Sequence, residues 1–309
     1  MKLKSLIHIF RLVFWLPVLV MAGCEMVVDI DLPPHESKLV VNCLLTPDSL
    51  VKVQVYKTLG PLDRKEAVAV SNAKVVLLEN DAVVDTLPFY KDADNSYYQS
   101  LHFKPQANKT YTLLVKAPGF PDAQASCTIP GKVPIQKALI RDSAGLDENG
   151  QYFSRLLLTF QDPGNVQNFY NVSGQQLYWY YTSDPRGPNP TMEYYRYPIY
   201  FFSDLNDVDD GGENGILLKD NLFNGRQYEL ALNFYPSYYD FGSGTKDTML
   251  VAFKTVSPEY YEYYRKLQPH LNNQGGGIFS GEPVVMPSNI QNGYGLFAGY
   301  SQDTLIVVK

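Results

Sequence analysis

The chain has 309 residues with 26 basic and 32 acidic side chains, which gives a formal net charge of −6 at neutral pH. An acidic chain without a basic cluster argues against a nucleic-acid partner. The length suits one or two domains, and the 24 tyrosines, together with runs of valine and threonine, favour β structure.

The first 23 residues have the layout of a secretory signal peptide. Lys2, Lys4 and Arg11 give the segment a basic start, residues 7–20 are largely apolar, and the segment closes with MAG directly before Cys24. Small residues followed by a cysteine resemble a bacterial lipobox, in which the chain is cut before the cysteine and the thiol is acylated. We therefore predict that residues 1–23 are a lipoprotein signal peptide.

Cys24 is the predicted lipidation site and the first residue of the mature protein, and residues 24–37 form the lipidated tether. Each buried methylene of an acyl chain contributes about 0.8 kcal/mol, so a multiply acylated cysteine is a stable anchor. Glu25 follows the cysteine in place of aspartate, which favours the outer membrane. We expect a lipid-anchored outer-membrane protein at the cell surface or on the periplasmic face. The alternative is an uncleaved anchor followed by an ordinary core cysteine.

The sequence pattern of residues 38–130 predicts an immunoglobulin-like β sandwich. About seven short strand-like segments recur there every 8–15 residues, without a helical period between them. In LVKVQVYKT, for example, Val51, Val53 and Val55 alternate with polar residues. Cys43 and Cys127 lie in two of the predicted strands. In an oxidising envelope they could form a disulfide, or they could be two separate buried residues.

Residues 131–138 are predicted as a linker, and residues 139–309 as a second, β-rich domain. This domain contains one short helix near 258–268. Ser257 is a good N-cap, Pro258 suits the first helical position, and Pro269 is expected to end the helix. A helical stripe of apolar residues should face the core, and it consists of Tyr260, Tyr263, Tyr264 and Leu267.

Three blocks of the sequence resemble the DUF4249 family of Bacteroidetes outer-membrane lipoproteins. These blocks are CEMVVDIDLPPHESKLVVNCLL near the start, KDNLFNGRQYEL in the middle, and VSPEYYEYYRKLQ followed by GGGIFSGEPVVMPSNIQNGYGLFAGYS near the end. The resemblance covers essentially the whole mature chain. It implies a cell-envelope lipoprotein that is an accessory of a TonB-dependent outer-membrane receptor, and it supplies no catalytic residues.

The motifs of common catalytic and metal sites are missing from the sequence. His35, His102 and His270 lie far apart in the mature chain, and no H-E-x-x-H, C-x-x-C or G-x-S-x-G sequence occurs. A pair of carboxylates can still act without a local motif, as in glycosidases. We therefore expect a non-enzymatic protein, with a carbohydrate-active hydrolase as a less favoured alternative.

An acidic loop is the candidate for a cation site. Calcium prefers clustered oxygen ligands, and a short run of the chain holds Asp204, Asn206, Asp207, Asp209 and Asp210. The spacing differs from that of an EF-hand loop, and the alternative is a solvated acidic loop. No other cofactor is expected.

A dense group of aromatic residues is the candidate contact surface for a ligand or partner. Exposed aromatic residues commonly mark binding sites, and this group comprises Tyr178, Trp179, Tyr180, Tyr181, Tyr194, Tyr195 and Arg196. The alternative is cross-strand packing within a sheet. We expect the protein to capture a ligand or to dock on a TonB-dependent receptor. The competing interpretation is a structural or assembly lipoprotein without a small ligand.

Overall fold

The computed structural model describes residues 35–308, apart from 61–62, 64, 93–94, 165, 184–185, 188, 190, 204–207, 236–247, 275–281 and 283. The described part excludes the side chains of residues 178–181, 192, 194 and 308. Regular structure in the first half of this part consists of β1 (Leu39–Leu45), β2 (Lys52–Lys57), β3 (Lys74–Glu79), β4 (Ala82–Leu87), β5 (Phe89–Lys91), β6 (Ser96–Gln99), β7 (Thr110–Lys116), β8 (Ala123–Thr128) and β9 (Ile135–Leu146).

The second half of the chain adds nine strands and the α-helix. They are β10 (Tyr152–Gln161), β11 (Phe169–Tyr181), β12 (Met192–Ile199), β13 (Phe201–Phe202), β14 (Val208–Asp210), β15 (Ile216–Lys219), β16 (Gln227–Phe234), β17 (Thr248–Val256), α1 (Pro258–Asn273) and β18 (Gly293–Val308). Two short 3-10 helices, Gly212–Asn214 and Asp220–Leu222, flank β15. The described part is therefore mainly β with one α-helix, which confirms the predicted fold class.

The first eight strands form a two-sheet sandwich. One sheet has the order β1-β2-β6-β5 and the other β4-β3-β7-β8. Alternate residues of both sheets share one core, as Val41, Val53 and Leu113 illustrate. In strand letters these orders are A-B-E-D and C′-C-F-G.

One ten-stranded sheet connects this sandwich with the second half of the chain. Its order is β14-β15-β11-β17-β18-β1-β2-β6-β5, and β12 pairs with β11 outside this path. The remaining four strands, β13-β16-β10-β9, form a separate sheet. This sheet shares a second core with β11 and β17, in which Phe160 meets Phe253 at a ring-centroid distance of 4.6 Å.

Strand β18 joins the two predicted domains. Its first half, Gly293 to Gly299, pairs in parallel with β1, and its second half, Tyr300 to Val308, pairs with β17 in the antiparallel sense. The N-terminal sandwich is therefore completed by the end of the chain. Residues Ser37–Lys309 form one compact unit, and the predicted boundary between 38–130 and 139–309 does not separate two independent sheets.

The predicted linker at 131–138 is bound to the sheet along its length. Val133 is buried and its amide donates to Thr255 Oγ1 at 3.3 Å. The amide of Ile135 donates to Asp303 Oδ2 at 2.9 Å, and strand β9 begins at the same residue. The turn-forming residues of this segment thus lead directly into a strand.

Helix α1 packs on the ten-stranded sheet with Tyr260 and Tyr261 as its buried anchors. As predicted, Ser257 is the N-cap and Pro258 is the first residue. The predicted stop at Pro269 is wrong, because the helix continues to Asn273. Hydrogen bonds hold this last turn despite the proline: His270 Nδ1 lies 2.7 Å from the Val284 carbonyl, and Asn273 Nδ2 donates to the Glu282 carbonyl at 2.8 Å.

In the part of the chain that the structure describes, no helix combines the length and apolar character needed to cross a membrane.

Candidate functional site

The predicted aromatic surface lies on the hairpin of β11 and β12. The register pairs Tyr178 with Tyr195 and Trp179 with Tyr194. Tyr195 and Arg196 are exposed. The side chains of the other predicted members lie outside the described residues, namely Tyr178, Trp179, Tyr180, Tyr181 and Tyr194.

Strand β12 is exposed on both of its faces. Residues 195–198 are consecutive along the strand, so they alternate between the two faces, and all of them are exposed. Tyr195 and Tyr197 are 55% and 49% exposed, and their ring centroids lie 6.3 Å apart. A strand inside a sandwich covers at least one face, so β12 is uncovered along these residues, and we call the hairpin of β11 and β12 the aromatic arm.

The candidate calcium loop is only partly described. Asp204, Asn206 and Asp207 lie outside the described residues. Asp209 accepts a hydrogen bond from the Tyr261 hydroxyl, and Asp210 Oδ1 accepts one from the Gly212 amide at 2.7 Å. Among the described residues, no three His, Cys, Asp or Glu side chains gather as a metal site.

The predicted lipidation site, Cys24, lies outside the described residues. Cys43 and Cys127 are both buried in the core of the N-terminal sandwich, one on each sheet, and both are free thiols. Desolvation by burial raises the pKa of both thiols, which keeps them protonated. Their strands correspond to A and G, whereas the inter-sheet disulfide of immunoglobulin domains joins B and F. The structure thus corresponds to the second predicted alternative, two separate core residues.

The middle block of the sequence, KDNLFNGRQYEL, has a structural role, because its residues take part in buried hydrogen bonds between loops. Asp220 is buried and accepts a hydrogen bond from the Asn168 amide at 2.8 Å. Asp162 is also buried, and it accepts one bond from the Tyr170 hydroxyl and another from the Gly225 amide at 2.8 Å. Burial raises the pKa of Asp162. These two carboxylates fix loops to each other inside the protein.

The final block also has structural roles. The side-chain amide of Asn289 donates to the Phe297 carbonyl at 2.7 Å, and its oxygen accepts from the Phe297 amide at 2.9 Å. Ser257 Oγ accepts from the Gly299 amide at 3.3 Å, which ties the start of the helix to β18. The residues that mark this block therefore hold β18 to the preceding segment and to the start of α1.

A cleft that the motifs do not indicate lies at the base of the aromatic arm. It measures about 700 Å³ and opens between β13, the first 3-10 helix and the last turns of α1. This volume is in the range of ligand-binding pockets. Six of its lining residues matter for its chemistry: Tyr200, Phe202, Glu213, Tyr235, Gln268 and Asn272.

Hydrogen bonds to carboxylates position both exposed tyrosines of the cleft. The Tyr200 hydroxyl donates to Glu213 Oε1 at 3.0 Å, and the Tyr235 hydroxyl donates to Asp147 Oδ2 at 2.7 Å. These bonds raise the pKa of both tyrosines, so both hydroxyls stay protonated. The ring of Tyr235 stacks on Phe202 with a centroid distance of 5.1 Å. The rings are thus held in place before any ligand arrives.

A second groove, of about 590 Å³, separates the other side of α1 from the outer face of β1 and β2. Asn42, Gln54, Tyr264 and Leu267 are among its lining residues. Burial raises the pKa of Tyr264 to about 12. The helix is therefore flanked by a cavity on each side.

The fold defines the class of this protein. In the described part of the chain, it is a mainly β protein in which one long sheet is shared by two cores and is covered by one α-helix. The family model of DUF4249, described as a domain of unknown function, matches residues 25–306. The chain therefore belongs to the DUF4249 family. No curated protein matches the chain.

Proposed function

We propose that this chain is a lipid-anchored, non-enzymatic protein of the outer membrane that docks on a TonB-dependent receptor and assists it in ligand capture. The anchor is Cys24, whose preceding MAG sequence fits a lipobox. The receptor partner follows from the role that the family resemblance implies. Docking is assigned to the aromatic arm of β11 and β12.

The observation that supports docking most directly is the exposure of β12 on both faces. Tyr195 and Tyr197 present two aromatic rings, and Arg196 a guanidinium group, on a strand that the body of the protein leaves uncovered. Tyrosine and arginine are enriched among residues that dominate the energy of protein interfaces. An arm of this composition suits burial against a partner protein.

A hydrolase is the second candidate, and one observation favours it. Asp210 and Glu213 both line the cleft of about 700 Å³, and glycosidases act through two carboxylates in a cleft. Each of these carboxylates already accepts a hydrogen bond from the protein, Asp210 from the Gly212 amide and Glu213 from Tyr200. These bonds suit positioning roles, and we therefore prefer the binding function.

The anchor is tested by metabolic labelling with a palmitate analogue in the host cell. The wild-type chain and the Cys43→Ser variant should be labelled and should sediment with outer membranes, whereas Cys24→Ser should lose both properties. Cys43 is a suitable control because it is a buried free thiol. Equal labelling of the wild type and Cys24→Ser would rule out the proposed anchor.

A further inference from the structure

The cleft between β13, the first 3-10 helix and α1 offers a prearranged aromatic wall. Tyr200 is 56% exposed and Tyr235 is 41% exposed. Phe202 supports the ring of Tyr235 from behind, and Phe153 in turn contacts Phe202 edge to face at 5.7 Å. Because the tyrosine hydroxyls are bound to carboxylates, little side-chain entropy remains to be lost when a ligand packs on these rings.

The opposite wall carries amide groups. Gln268 Nε2 donates to Asn272 Oδ1 at 3.0 Å, which fixes the two side chains relative to each other. A Cβ atom at Gly212 would lie only 2.2 Å from Gln268 Oε1, and Gly212 has a φ of +60°. The positive φ favours glycine at this position, which lies directly beside the amide pair. Side-chain amides both donate and accept hydrogen bonds.

The charge of the cleft restricts its ligands. Asp210 and Glu213 are exposed carboxylates, and the lining residues in the described part of the chain include no lysine, arginine or histidine. An anionic ligand would meet like charge without a compensating partner. A bare ammonium or guanidinium group would pair with the carboxylates, but it has no acceptor for the amide N–H groups of Gln268 and Asn272.

We propose that this cleft binds neutral oligosaccharides. A pyranose ring has an apolar face of C–H groups, which packs on an aromatic ring, and a rim of hydroxyls that both donate and accept hydrogen bonds. The rings of Tyr200 and Tyr235 match the first feature, and the carboxylates and amides of the opposite wall match the second. This inference rests on the proposed role in ligand capture and names the class of ligand.

Titration calorimetry tests the proposal on the full lipidated chain in a detergent without a sugar head group. The probes are maltohexaose, cellohexaose, laminarihexaose and mannohexaose, with tetragalacturonate as the anionic and chitosan hexamer as the cationic comparison. We expect saturable binding of at least one neutral hexasaccharide at one site. Tyr235→Ala should weaken this binding at least about tenfold, because it removes an aromatic anchor.

Tyr90→Ala is the matched control. Tyr90 is also an exposed tyrosine stacked on a second aromatic ring, that of Tyr97 at 6.0 Å, but it lies on β5 at one end of the ten-stranded sheet. This variant should bind like the wild type. Tyr235→Phe, which loses the bond to Asp147 but keeps the ring, should fall between the two. Thermal unfolding of each variant shows whether it is folded.

Three results would overturn the oligosaccharide site: no binding of any neutral hexasaccharide, binding unchanged in Tyr235→Ala, or tighter binding of the chitosan hexamer. Recovery of a receptor by the wild-type chain separates the two proposals. Receptor recovery without saccharide binding refutes only the ligand class. Saccharide binding without receptor recovery supports the cleft and refutes the docking function.

Discussion

Gly295 on β18 lies directly against the backbone of Val41 on β1: a Cβ atom at Gly295 would be 2.1 Å from the Val41 carbonyl oxygen. The φ angle of Gly295 is +117°, a backbone conformation that residues other than glycine rarely adopt. The last strand of the chain can pair with the first only because this residue is glycine. The pairing unites the N-terminal sandwich with the second half of the protein.

The Gly295→Ala variant should therefore lose at least about 3 kcal/mol of unfolding free energy, through steric overlap added to backbone strain. Gly119→Ala is the control, since Gly119 also has a positive φ, of +82°, but has no atom within 4 Å of an added Cβ. It should lose only about 1–2 kcal/mol. Urea unfolding measures both, and equal losses would contradict the steric role of Gly295.

Lys254 lies between two tyrosine rings under the helix, with its ammonium nitrogen 5.4 Å from the Tyr300 centroid and 5.9 Å from that of Tyr260. Desolvation by burial lowers the pKa of Lys254. The folded state therefore releases this proton at a lower pH than the unfolded state. The contribution of Lys254 to the free energy of unfolding therefore increases with pH. The increase lies between the pKa of Lys254 in the folded state and its pKa near 10.5 in the unfolded state.

The Lys254→Met variant should consequently raise the melting temperature at pH 7 by roughly 2–4 °C, since it removes a desolvated charge. The gain should shrink as the pH approaches 10.5. Lys137→Met, at an exposed position of β9, should change neither property. A lower melting temperature for Lys254→Met would show that the cation–aromatic contacts outweigh the desolvation.

Calcium should have little effect on stability. Asp209 is engaged with Tyr261 and Asp210 with the Gly212 amide, so oxygens that a calcium ion would need already accept hydrogen bonds. Addition of calcium at millimolar concentration to protein treated with EDTA should shift the melting temperature by less than about 1 °C. A clear upward shift with calcium and none with magnesium would support the calcium hypothesis.

The non-enzymatic account predicts that neutral hexasaccharides remain intact during prolonged incubation with the protein. Asp210 and Glu213 hold other protein groups in the cleft, and no hydrolysis is expected from them. Chromatography of the hexasaccharides before and after incubation measures cleavage. Release of shorter products by the wild type, abolished in Glu213→Gln but not in Tyr90→Ala, would establish the hydrolase instead.

Features with local causes could be predicted from the sequence. The start of α1 follows from the hydrogen-bonding ability of Ser257 and the fixed φ of Pro258. The turn at Asn80 and Asp81 is likewise local, and both residues have the positive φ values that such a hairpin needs. Strand β17 is likewise visible in the local pattern, because Met249, Val251, Phe253 and Thr255 recur at every second position and all are buried.

Features that depend on distant contacts could not be predicted in this way. Nothing in the local pattern of β18 indicates that its first half pairs in parallel with β1. The helix continues beyond Pro269, and the side chains of His270 and Asn273 in its last turn form hydrogen bonds with the carbonyl groups of residues 284 and 282. The cleft is also non-local, since Tyr200, Glu213 and Tyr235 belong to three separate segments, and only the fold brings them together.

Affinity purification tests whether the protein docks on a TonB-dependent receptor through the aromatic arm. The full chain with a C-terminal tag is recovered from detergent-solubilised outer membranes, and co-purified proteins are identified by mass spectrometry. We expect stoichiometric recovery of one TonB-dependent receptor. We expect loss of this recovery in the double variant Tyr195→Ala and Tyr197→Ala, but not in Tyr90→Ala and Tyr152→Ala, which alters two other exposed tyrosines. Recovery of envelope assembly machinery, or of no partner, would contradict this docking.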